Sequence, residues 1–434
     1  MSKQINTGLA LVILLCLCAG TLATRGFAQS AGTRTAQNAA IISTTDAVLK
    51  ETSELRELSI LRAVKSGAQS RTEIERMIVK NLDTDTTPAE MHATEVLLRV
   101  FGLAPKDFAY KSFLVKLLTE QVAGYYDPKA QQFYLADWIE LEGQKPVMAH
   151  ELTHALQDQH FNLKRFEKWP KGDSDAELAA HALIEGDATL AMSVYLKKNP
   201  LVAFAFLRSL RDQQISTEQF KSAPRVLRES LMFPYVQGGA WAEQVHLRGG
   251  WDLVSKAYSK LPQSSEQILH PEKYFAYEAP VKVNVPDLTR LLGPKWKVLD
   301  TDVNGEWGFY LILDEYLNNV AESERASAGW GGDQFALYED AGSADVFVAQ
   351  FTSWDTAADA REFFDAYLKR TWKRYPDAKA TEADSTTERG ERHEWQTATG
   401  RGVLELRGSR VLILEGIPAN ANTTALLNRI WHQG

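Results

Sequence analysis

Pro146-Val147-Met148-Ala149-His150-Glu151-Leu152-Thr153-His154-Ala155-Leu156-Gln157 is the stretch whose reading decides the fold. Residues four apart on a helix lie one turn apart on the same face, so His150 and His154 aim two imidazoles at one point. Glu151 lies beside that axis, where a carboxylate is placed to take a proton from a water on a metal ion rather than to ligate the ion. Val147, Met148, Ala149, Leu152, Ala155 and Leu156 make the helix apolar nearly all round, and a helix of that kind is buried. Buried paired imidazoles need a ligand or hydrogen-bond partners; the bland alternative is a surface helix with two solvated histidines. Pro146 suits a first helical position, so the helix is expected from Val147 to about Gln159.

A catalytic zinc takes a third protein ligand and keeps one position open. The sequence offers three candidates. His160 stands six residues beyond His154, but Gln157 occupies the position where a glycine would break the helix, and on a continuing helix His160 points away from the pair. His181 and Glu185 lie one turn apart in His181-Ala182-Leu183-Ile184-Glu185-Gly186-Asp187-Ala188. Glu185 is favoured: Gly186 costs helix stability, which makes sense where a neighbouring backbone passes close, and Ala179, Ala180, Ala182 and Ala188 would allow that approach. Asp187 reads equally as a residue orienting a ligand imidazole and as an ordinary helix ion pair.

The rest of the chain sets the context. Its 434 residues exceed what one core usually serves, which predicts two domains. With 44% hydrophobic and 24% charged residues the chain reads as globular, and a net charge of -8 argues against nucleic acid as a partner. Lys3, the apolar run Leu9 to Cys18 and Gly26-Phe27-Ala28 read as a signal peptide over residues 1–28, giving an extracytoplasmic protein, periplasmic or secreted. Membrane attachment is expected only if that segment stays uncleaved. Both cysteines, Cys16 and Cys18, fall inside it, so any metal in the mature chain is held by His, Asp or Glu. Removing Lys3 and Arg25 takes the net charge from -8 to -10.

From Thr45 to about Gln121 the pattern is helical, with capping boxes at Ser70-Arg71-Thr72-Glu73 and Thr87-Pro88-Ala89-Glu90. Val122 to Tyr126 and Gln132 to Leu135, joined by Asp127-Pro128-Lys129-Ala130, read as a hairpin directly before the metal motif. Ser174-Asp175-Ala176-Glu177 reads as the cap of the helix carrying Glu185, and further helices are expected over Leu201 to Leu210 and Gly239 to Leu247. After Pro280, strand-like runs at Phe309 to Leu313, Phe347 to Phe351 and Val411 to Leu414 alternate with helices over Thr356 to Trp372 and Thr423 to Trp431. The expected architecture is α+β: a mostly helical zincin-like domain with a small β-hairpin or sheet over 29–285, then a smaller α+β domain of unknown role over 286–434.

The run from His150 to Phe161 followed by Glu185-Gly186-Asp187-Ala188, with Gly124-Tyr125-Tyr126-Asp127-Pro128 and Ser264 to Tyr274, resembles a group of largely uncharacterised bacterial exported proteins of the gluzincin type. The resemblance covers roughly residues 45–285. It implies a zinc (Zn2+) metallopeptidase in which His150, His154 and Glu185 bind the metal and Glu151 is catalytic. Better-known gluzincins carry an Asp four residues after the ligating Glu, where this chain has Thr189.

A peptide or protein substrate follows from that resemblance. The hairpin before the metal helix could offer an edge strand to an extended peptide, or its Tyr125, Tyr126, Phe133 and Tyr134 could simply pack on the helix. His270, Tyr274, His246 and Tyr235 are the candidates for stabilising an oxyanion. The tryptophans of the C-terminal part read as core more readily than as a ligand surface. The alternative function is a non-catalytic envelope or interaction protein that retains the zinc fold for structure, although such a site has no need of Glu151.

Overall fold

The computed structural model describes residues 12–15, 31–138, 141–166, 169–212, 218–381, 385–387 and 390–432. Most of the expected signal segment therefore lies outside the described residues. The chain is mixed α+β, with helices predominating in the first part and an antiparallel sheet in the second.

The first part is organised around α5 (Leu141–Phe161), the metal-motif helix, in which every residue from Pro146 to Asp158 is buried. The proline lies inside this helix rather than opening it, at its sixth residue, where the ladder gives up the bond that the Glu142 carbonyl would otherwise accept. Helix α1 (Ala31–Arg56) covers one side of α5, placing Val48 and Leu49 among Met148, Leu152 and Leu156. A small sheet covers another: the hairpin β3 (Val122–Asp127) and β4 (Gln132–Ala136) packs Tyr126, Phe133 and Leu135 into the same cluster. Asp127 makes the hairpin turn by accepting from the backbone N–H groups of Lys129 and Ala130, at 2.8 and 3.0 Å.

Strand β2 (Lys65–Gln69) pairs in parallel with β4, and β1 (Val12–Leu15) pairs antiparallel with β3, giving the order β1-β3-β4-β2. A reading that leaves residues 1–28 out of the fold does not anticipate β1. An open strand edge presents unpaired N–H and C=O groups, and a short apolar strand satisfies them. Among the described residues no helix is long and apolar enough to cross a membrane.

The capping boxes at Ser70 and Thr87 start α2 (Arg71–Asp85) and α3 (Pro88–Val100) with both reciprocal bonds made. The third expected cap differs. Helix α6 (Ser174–Lys198), which carries Glu185, is capped by Asp173, while Ser174 bonds to Asp302 through both its N–H and its hydroxyl. Helix α7 (Pro200–Asp212) follows, and α8 (Arg225–Ala257) extends well beyond the expected Gly239 to Leu247, breaking its helical geometry at Gly249-Gly250.

Helices α6 and α8 cross at glycines. A Cβ on Gly186 would sit 2.1 Å from the Gly238 carbonyl oxygen, and one on Gly238 would sit 2.3 Å from that of Ala182. The close backbone approach inferred from Gly186 is thus present, with α8 as the neighbour.

In the second part, β5 (Trp296–Asp302), β6 (Trp330–Asp340), β7 (Val346–Trp354), β8 (Lys379–Ala380), β10 (Gly390–Thr397), β11 (Gly400–Arg407) and β12 (Arg410–Ile417) form the order β5-β6-β7-β12-β11-β10-β8, with β9 (Ser385–Thr387) pairing to β10. Both faces are covered. Val411 and Ile413 join the cluster containing Phe309 and Phe363, while Leu412 and Leu414 join the one containing Leu426 and Ile430. That is why β12 reads as an unbroken apolar run.

Phe309 to Leu313, read as strand-like, are helical in α11 (Gly305–Leu317). Five consecutive apolar residues carry no period, and a helix buried on nearly all sides produces the same run. Helix α12 (Ala357–Arg374) and α13 (Thr423–Trp431) match the expected spans closely. Trp330, Trp354 and Trp395 are core residues, and one continuous cluster joins them to Ile74, Leu97 and Leu114 of the first part.

Candidate metal centre

Helix periodicity places His150 and His154 on one face of α5, and α6 lies against that face with Glu185 opposite them. Glu185 Oε2 stands 3.1 Å from His150 Nε2 and 3.5 Å from His154 Nε2. Three ligand atoms held ~2.0–2.1 Å from one tetrahedral ion are about 3.3 Å apart, a separation that these two spacings match. Among the described residues this is the group of three His, Cys, Asp or Glu side chains whose ligand atoms converge, all within 4.8 Å of one another.

The chemistry of the donors agrees with the spacing. Burial pushes the His150 imidazole below its usual range and so keeps it neutral, against the pull of Glu185. Burial alone would raise Glu185, but the neighbouring His154 and the hydrogen bond with His150 outweigh it and hold the carboxyl down to about 2. A neutral imidazole and an ionised carboxylate are what a divalent cation binds. His154 Nε2 is buried and has no hydrogen-bond partner among the described residues. Such an orphan is uncommon in a folded interior and fits a lone pair reserved for a metal.

Glu151 is fully buried on the same helix, and its Oε2 accepts from the backbone N–H of Tyr126 on β3 at 3.0 Å. The hairpin thereby sets the orientation of the carboxylate. Its aromatic residues Tyr125, Tyr126 and Phe133 are buried, with Tyr126 donating to Asp158 and Tyr125 to Gln69.

The alternative ligands lie elsewhere. His160 is bonded to the Ser59 carbonyl at 2.8 Å. His181, half-buried on α6, is outside the converging group, and desolvation lowers its pKa against the charge of Glu185. Of the four candidates for a hydrogen-bond donor, Tyr235 on α8 lies with its ring near-parallel to His150, centroids 6.0 Å apart.

The other three are engaged at other places. His270 pairs with Glu306 at 2.9 Å, Tyr274 donates to the Lys260 carbonyl, and His246 packs on Trp251. The sequence reading missed Gln157, whose Oε1 stands 2.7 Å from His154 Nδ1. Its place three residues after the second histidine, on the same helix face, is the signal that could have found it.

Residues 295–427 match a family model described as a domain of unknown function (DUF8575). No curated protein and no solved structure matches the chain.

Proposed function

We propose that the chain is an exported zinc metallopeptidase of zincin-like fold, in which His150, His154 and Glu185 hold the ion and Glu151 is the general base. The observation that carries this reading is the convergence of the three ligand atoms, with Glu185 Oε2 at 3.1 and 3.5 Å from the two imidazole nitrogens and no hydrogen bond to His154 Nε2 among the described residues. The ion, when bound, supplies Lewis acidity to a water and to the substrate carbonyl. Glu151 takes the proton of the attacking water and passes it to the leaving amine, a role suited to a carboxylate whose orientation the Tyr126 N–H fixes. Tyr235 is the side chain we assign as donor to the oxyanion, because its ring lies beside that of the ligand His150.

The zincin-like fold is supported by a sheet placed directly ahead of the metal helix and by a third ligand delivered from the next long helix. A peptide substrate is supported by the β3 edge: β1 lies there as an extended antiparallel strand, and the same backbone groups can pair with a peptide once that edge is free. Export rests on Lys3, the apolar run Leu9 to Cys18 and the small residues of Gly26-Phe27-Ala28. Glu151→Gln tests the proposal, since the glutamine can still accept from Tyr126 N–H. The variant is expected to keep the metal and to lose cleavage of a peptide library; retained cleavage overturns the assignment.

A further inference from the structure

Behind His154 the hydrogen bonds run in one direction for three residues and end on helix α1. The Gln157 amide donates both its hydrogens, to the Ile184 carbonyl and to Asp187 Oδ2, each at 3.0 Å. Both of those partners are acceptors, so the amide cannot be turned round, and its oxygen must face His154 Nδ1. An amide oxygen only accepts, which puts the imidazole proton on Nδ1 and leaves Nε2 as the lone pair.

Asp187 is in turn held by Arg56, with Nε to Oδ1 at 2.5 Å and Nη2 to Oδ2 at 3.1 Å, and by the Tyr258 hydroxyl at 2.9 Å. Arg56 is the last residue of α1 and is wholly buried, its guanidinium 4.5 Å over the Trp251 ring and bonded to Ser255. Burying an arginine is expensive unless the geometry is fully paired, so the end of α1 is committed to this position.

We propose that Arg56, Asp187 and Gln157 are positioning residues forming a relay that fixes His154 in its Nδ1–H tautomer, and that docking of α1 thereby sets the metal affinity of the centre. The inference rests on the metal-site reading above. It makes the N-terminal helix part of a site to which it contributes no ligand: with α1 undocked, Asp187 loses its counter-charge and the two Arg56 bonds that hold its carboxylate against the Gln157 amide. Partners of this kind typically change metal affinity by about 10–100-fold.

The test uses the whole chain. The tautomer of His154 is read in metal-free protein by nitrogen-15 NMR of labelled histidines at about pH 8, where imidazole is neutral. Zinc affinity is read by competition with a chromophoric chelator, for the unaltered protein, Gln157→Leu and Arg56→Met.

His154 is expected as the Nδ1–H form in the unaltered protein and as a mixture in Gln157→Leu, with zinc affinity lowered about 10–100-fold in both variants. An Nε2–H tautomer in the unaltered protein overturns the relay even if no variant folds. Zinc affinity unchanged in folded Gln157→Leu and Arg56→Met overturns the link to α1. Absence of zinc binding in the unaltered protein, with the tautomer as expected, instead sinks the metal reading itself.

Discussion

Two arginine–carboxylate clusters, one in each part of the molecule and each built on a fully buried arginine, Arg56 and Arg370, differ in where their hydrogen bonds end. In the second part, Glu415 accepts from Arg370 and Arg374 at 2.9 and 3.0 Å and from the Tyr367 hydroxyl at 3.0 Å, while Arg370 also donates to the Phe101 carbonyl. That cluster stitches α12 to β12 and to the end of α3. What it leaves over is one N–H, on Arg370 Nε, with no acceptor among the described residues.

In the first part, Arg56 and Asp187 lead through Gln157 to His154, and what is left over is a lone pair converging with two other ligand atoms. A single orphan donor is a small defect of a structural cluster. Three converging acceptors are a donor set of definite chemistry.

The largest expected effect sharpens this contrast. Arg56→Met leaves buried Asp187 without a cation and is expected to cost about 3–5 kcal/mol in denaturant unfolding, while Arg370→Met is expected to cost less because Arg374 still pairs with Glu415. The two part company on zinc: Arg56→Met lowers the affinity and Arg370→Met leaves it unchanged. Equal zinc affinity in the two variants would erase the distinction drawn between the clusters.

Gly186→Ala comes next. Its Cβ would meet the Gly238 carbonyl oxygen at 2.1 Å, backbone against backbone, so α6 and α8 must separate. About 1–3 kcal/mol of stability is expected to be lost, together with displacement of Tyr235 from His150. A variant as stable as the parent in urea would show that the helices can part freely.

The smallest effect belongs to an ion pair at the surface. Glu90 is held down to about 2: partial burial would raise its pKa, and Lys171 with the Thr87 N–H and hydroxyl outweighs it. Its folded value lies below the ordinary 4.5, so its contribution is complete above about pH 4.5 and fades as pH falls towards 2. Lys171 is 78% exposed, so salt should weaken the effect. Denaturant midpoints at about pH 6 and about pH 3 are expected to differ slightly less in Glu90→Gln than in the parent.

What the sequence made legible follows from which interactions are local. The face shared by His150 and His154, the caps at Ser70 and Thr87 and the hairpin turn at Asp127 all rest on residues within four positions of each other, so spacing alone conveys them. Glu185 was reached through Gly186, whose cost in a helix signals a close neighbour, although nothing in the spacing said that the neighbour was α8.

The failures lie where tertiary context decides. Phe309 to Leu313 has no period because its helix is surrounded. Asp173 caps α6 because Asp302, 128 residues from Ser174, draws Ser174 away. Arg56 reaches Asp187 across 131 residues, a pairing without a local trace.

Metal analysis of purified protein and three variants tests the central claim most directly. About one zinc per chain is expected in the unaltered protein and in His160→Ala, and little or none in His150→Ala and Glu185→Ala. A Glu185→Ala protein that keeps its zinc while His160→Ala loses it would contradict the account.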